Sequence, residues 1–100
     1  MRERIHEYSS RVRDGSGAEL TARVFGRERG DGTWTGWIEF ENPQTGKTLG
    51  TGQETSQPNR TDLEYWAAGL EPVYLEGALH RAREQRGAKP EDTRTEPPRG

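Results

Sequence analysis

One hundred residues with a formal net charge of −2 make one small domain and too short a chain for two. With no cysteine it can hold neither a disulfide nor a thiolate metal site, and no stretch approaches the roughly 20 apolar residues needed to cross a bilayer. Leu, Ile, Val and Phe together number only 13, but three Trp and three Tyr add large buried area per residue, so a small folded core of modest stability is expected.

The N-terminus, Met1-Arg2-Glu3-Arg4, leads into no apolar run. The expectation is therefore a soluble cytoplasmic protein without a signal peptide. Ile5–Arg13 is the first candidate strand, with His6, Tyr8, Ser10 and Val12 on one face. Asp14-Gly15-Ser16-Gly17 is turn chemistry. Ala18–Phe25 then alternates cleanly: Ala18, Leu20, Ala22 and Val24 on one side, Glu19, Thr21, Arg23 and Phe25 on the other. Period two of this quality marks a half-buried strand.

Arg29-Gly30-Asp31-Gly32 forms the next turn, Asp-Gly being its stronger part. Thr33–Glu41 is the best strand of the chain. Trp34, Gly36, Ile38 and Phe40 share one face; Thr35, Trp37, Glu39 and Glu41 share the other. After a turn at Asn42–Gly46, Lys47–Thr55 reads as a fourth strand, which Gly50 and Gly52 mark as bulged or as a sheet edge.

Thr61-Asp62-Leu63-Glu64 has the form of a capping box, with Leu63, Trp66, Ala67 and Leu70 at helical spacing behind it. Pro72 disfavours helix at Glu71 and suits the first turn of a new one, whose stripe is Leu75, Ala78, Leu79 and Ala82. Two helices, about 61–69 and 72–86, are expected, with one kinked helix as the alternative. The fold class is thus α+β: a four-stranded antiparallel meander with two C-terminal helices packed on one face, ββββαα, forming one domain over 1–86. Residues 87–100, with three prolines and Ala88 as their one apolar residue, read as a disordered tail.

The motifs offer little catalysis. Gly46-Lys47-Thr48 resembles the end of a phosphate-binding loop, but Glu41 stands where the pattern needs glycine and a strand follows instead of a helix. His6 and His80 have no partner at metal-ligand spacing; His80 reads as a helix-end residue. Glu39 and Glu41 share a face about 7 Å apart, a separation that glycoside hydrolysis uses in deep clefts. A solvated face with Arg11, Arg13 or Arg23 opposite is the simpler account. No cofactor or metal is expected. The polar Glu54–Arg60 loop could bring an anion to a helix N-terminus with Arg60 assisting, although capping alone explains it.

Trp37 is the residue left over. Out of phase with the core, it should face water beside Phe25, Arg23 and Glu39, either shielded by arginine or serving as a contact. Trp34-x-Gly36-Trp37-Ile38-Glu39-Phe40 followed by Tyr65–Leu79 resembles small bacterial proteins of unassigned role, which implies no activity. The expectation is a non-catalytic protein-interaction or accessory module binding an unidentified protein through Trp37, Phe25, Arg23 and Glu39, or beside Arg60. The alternative is single-stranded nucleic-acid binding, with Trp37 and Phe25 stacking and Arg11, Arg13 and Arg23 on phosphate. Against it, residues 1–80 carry 9 Lys/Arg and 13 Asp/Glu, whereas backbone affinity needs positive charge. A small enzyme using His6 or Glu39/Glu41 is a distant third.

Overall fold

The computed structural model describes residues 1–88; residues 89–100, most of the expected disordered tail, lie outside the described residues. The turns that punctuate the sequence share one device. The Asp14 carboxylate accepts from the Ser16 and Ala18 amides and the Ser16 hydroxyl. Asp31 accepts from the Thr33 amide and hydroxyl, and the Asn42 side chain accepts from the Gln44 amide. Such side chains replace backbone partners that the bend removes. Each turn also contains a glycine at positive φ, Gly17 at 91°, Gly32 at 90° and Gly46 at 77°, where a Cβ would be strained. Gly46-Lys47-Thr48 is accordingly a hairpin: the Gly46 amide donates to Asn42 O at 2.7 Å.

Between the turns lie β1 (Glu3–Glu7), β2 (Val12–Arg13), β3 (Glu19–Glu28), β4 (Trp34–Glu41), β5 (Thr48–Gly50) and β6 (Thr55–Gln57), followed by α1 (Arg60–Ala68) and α2 (Pro72–Ala88). The α+β class and the helices after an antiparallel sheet agree with the sequence. The strand number does not: among the described residues the sheet has six strands instead of four. Both outer strands are broken. β1 and β2 lie in tandem along β3, pairing with Arg23–Gly26 and Glu19–Leu20; β5 and β6 lie in tandem along β4. The first break follows a register shift between Arg4 and His6. At the second, the chain bulges over Thr51–Glu54, and the Thr51 hydroxyl accepts from the Ile38 amide at 3.1 Å and donates to Gly52 O. Interrupting an edge in this way blunts its tendency to pair with other chains.

Two helices form, not one kinked helix. α1 starts two residues earlier than the capping box implies, because Asn59, and not Thr61, caps it by accepting from the Asp62 amide. α2 runs to Ala88, past the expected end near residue 86. His80 therefore lies well inside α2, with Nε2 3.1 Å from Glu84 Oε2, and the helix-end account of it does not apply. Leu20, Ala22, Val24, Ile38 and Phe40 from the sheet meet Ala67, Leu75, Ala78, Leu79 and Ala82 from the helices, all buried. Leu63 is fully buried too, on a seat without side chains. Gly26 and Gly36 are cross-strand neighbours, and a Cβ on them would lie 2.5 Å from Leu63 Cδ2 and 2.7 Å from Cδ1.

Polar ties complete the helix layer. The Tyr8 hydroxyl donates to Ala67 O at 2.6 Å, and the Tyr74 hydroxyl to Glu54 Oε1 at 2.6 Å. Burial pushes both phenols up to about 12, with the Glu54 carboxylate adding to the effect on Tyr74. An unfolded tyrosine ionises near pH 10. The stability these groups contribute is therefore complete below about pH 10 and lost as pH rises toward 12. Urea midpoints should drop between about pH 9 and about pH 11 in the native chain, and by less in Tyr8→Phe. Equal drops in both would remove Tyr8 from this account.

Candidate functional site

Both helices cover one face of the sheet; among the described residues nothing covers the other. Register lays out that second face in rows. Arg4, Phe25 and Trp37 are neighbours across β1, β3 and β4, Glu7, Arg23 and Glu39 form the next row, and Thr21 and Glu41 the one after. On the far side of Trp37 lie Arg27, Thr35 and Ser56. The phase expected from the sequence holds: Ile38 and Phe40 are buried under the helices, and Trp37 stands on the opposite face, half-buried.

Its burial comes from polar neighbours. The Trp37 indole N–H donates to Glu39 Oε2 at 2.9 Å, and the other oxygen of Glu39 takes Arg2 at 2.8 Å. The Arg2 guanidinium also lies 4.0 Å from the Phe25 ring centroid, and that of Arg27 5.8 Å from Trp37. These distances allow attraction between cation and ring face. Arg23 bridges Glu7 and Glu41, each at 2.8 Å. Its hydrogen bond holds the Glu7 carboxyl below the usual range, and the two carboxylates raise Arg23 in turn. Glu39 and Glu41 are thus held by different cations, Arg2 and the shared Arg23, and Arg13 turns to Glu19 instead.

The face therefore gathers Trp37, Phe25, Arg23 and Glu39. Arg60 is elsewhere. At the start of α1 it binds Glu3 at 2.8 Å and Glu64, and its guanidinium lies 5.9 Å from the ring of Trp34, a residue of the helix-side row. His6 is also on the helix side, edge-on to Tyr8 at 4.5 Å. No group of three or more His, Asp or Glu among the described residues is placed to hold a metal ion, and no described helix is long and apolar enough to span a membrane.

A shallow depression of about 450 Å³ opens beside Trp37, lined by Arg2, Arg27, Arg29, Thr35 and the Thr51–Gln53 bulge. Sequence reading marked a bulge or edge at Gly50 and Gly52 but did not connect it, or these arginines, with Trp37. The signal for Arg27 was present: it continues the alternation of Arg23 and Phe25, had the strand been carried past Phe25. No family model, curated protein or solved structure matches this chain.

Proposed function

We propose that this chain is a non-catalytic interaction module that holds a partner protein on the uncovered face of its sheet. The observation that carries the reading is Trp37, a half-buried indole on the side away from both helices, paired across strands with Phe25. Trp and Arg dominate the energetics of protein contacts, and both meet here on a rigid two-strand ladder. A partner can dock without disturbing the helix layer. With 32% charged residues the chain suits an aqueous compartment, and we place it in the cytoplasm.

Affinity purification with the tagged chain, followed by titration of each purified candidate, tests this. Trp37→Ala should retain the unfolding free energy from urea titration to within about 1 kcal/mol, since the residue is outside the core, and should weaken a true partner by about 2 kcal/mol or more, roughly 30-fold. Partners held equally by Trp37→Ala would end the proposal. Single-stranded nucleic acid is the second reading, favoured by arginines beside an indole. Arg13 and Arg23 are engaged by glutamates, and the face alternates in sign where a phosphate backbone needs a positive track.

A further inference from the structure

The charge on this face is polarised along β4. Toward its end lie Glu39 and Glu41, with Glu7 and Arg23 alongside; toward its start lie Arg27 and Arg29. These two arginines differ from most of their kind in the structure. Arg23, Arg60 and Arg81 each hold a carboxylate, and Arg2 holds Glu39. Arg27 and Arg29 form no salt bridge among the described residues; Arg29 donates to the Ser56 hydroxyl at 3.2 Å and its charge helps hold the Asp31 carboxyl below its usual value. Between them and the Thr51–Gln53 bulge sits the depression floored by Thr35, with Trp37 as one wall. The bulge adds donors. The amides of Gly52 and Gln53 donate to no atom of the described residues, whereas the Thr51 and Glu54 amides on either side are used, on Ile38 O and Gly36 O.

We infer that this depression receives a carboxylate side chain of an acidic segment on the partner protein. Arg27 and Arg29 supply charge-assisted hydrogen bonds, the Gly52–Gln53 amides supply neutral ones, and Trp37 packs against the apolar stem of the entering residue. An acidic peptide fits better than a nucleic acid because the cationic end is short. One row beyond Trp37 the Arg2–Glu39 pair leaves no net positive charge to hold a continuing phosphate chain. A protein segment can change sign over that distance. The inference rests on the interaction reading above and adds the chemistry of the partner.

The test is an NMR titration of the 15N-labelled full chain at low ionic strength with three probes: a short Glu/Ser peptide, its Gln/Ser counterpart and an oligothymidylate. The Trp37 indole signal is identified by its loss in Trp37→Phe. With the Glu/Ser peptide, that signal and the Gly52 and Gln53 amides should shift saturably; the Gln/Ser peptide should leave them in place. An Arg27→Gln/Arg29→Gln double variant should weaken binding about tenfold or more, with unchanged signals from the buried Ile38 and Phe40 amides as proof of folding. Arg27→Glu, should the double variant not fold, ought to lose the Glu/Ser peptide and gain a Lys/Ser one. The inference is overturned if the Glu/Ser peptide shifts nothing, if the Gln/Ser peptide binds equally, or if the oligothymidylate saturates the same signals more tightly. A partner that depends on Trp37 but is indifferent to Arg27 and Arg29 would overturn this inference and leave the interaction module standing.

Discussion

Leu63→Ala is expected to destabilise the protein by about 2–5 kcal/mol, the range for emptying a fully buried leucine site. Leu63 is 0% exposed and its two methyls rest on backbone at Gly26 and Gly36. Little can relax into the space, since the floor of the site is β-sheet. The converse change should also hurt. A Cβ added at Gly26 meets Leu63 Cδ2 at 2.5 Å, the Thr35 carbonyl at 3.2 Å and Ile5 at 3.3 Å, an overpacking worth about 1–3 kcal/mol. The decisive result is the double variant. In Leu63→Ala the methyl that Gly26→Ala would strike is gone, so the two costs should add to less than their sum by about 1 kcal/mol or more. Urea denaturation of the four proteins completes the cycle. Strict additivity would mean that the glycine pair is not the seat of the helix.

That seat shows where sequence reading succeeds and where it stops. The strand phases were legible because period two is a local property: Leu20, Ala22 and Val24 against Arg23 and Phe25 needs only neighbouring residues. The turns were legible for the same reason, since Asp14, Asp31 and Asn42 act on amides two to four residues ahead. The helix start was displaced because Asn59 and Thr61 are both good caps, and local sequence does not rank them. Gly26 lay just past the strand expected to end at Phe25, and Gly36 was one more member of a strand face; only register makes them opposite one another under Leu63. The broken edges were half visible, with Gly50 and Gly52 marking the second bulge and nothing comparable marking the first. At the candidate site, Trp37, Phe25, Arg23 and Glu39 come from adjacent strands and could be grouped by face. Arg2 reaches Phe25 from the chain start, across β1, a contact no spacing rule encodes. Arg60 was named for a separate place, the start of the first helix, and its long-range pairing with Glu3 could not be read from that position.

Arg81→Met should cost about 1.5–3 kcal/mol at neutral pH, the range for losing hydrogen bonds to a charged group, and the contribution of Glu54 to its pH dependence should run opposite to that in the native chain. The Glu54 side chain is only 9% exposed. Arg81 grips it through Nε at 3.1 Å and Nη2 at 2.7 Å, and the Tyr74 hydroxyl donates to the same carboxylate. This clamp ties the chain just before β6 to α2. Burial is the strongest influence on Glu54 and raises its pKa; the Arg81 hydrogen bonds, the Tyr74 hydroxyl and the Arg81 charge together outweigh it, leaving the carboxyl below its usual value. In the native chain the stability from Glu54 is therefore present above the unfolded pKa, near 4.3, and lost as pH falls through the folded one. With Arg81 gone and its stem kept by methionine, burial exceeds the single Tyr74 bond, and the folded pKa moves above the unfolded. The contribution of Glu54 then grows as pH falls. All other carboxylates are common to both proteins, so the stability gap between them should be wide at about pH 7 and narrow at about pH 4. Urea midpoints at those two values decide it, and a gap that stays constant would mean that Arg81 acts on α2 by packing and not through the carboxylate it holds.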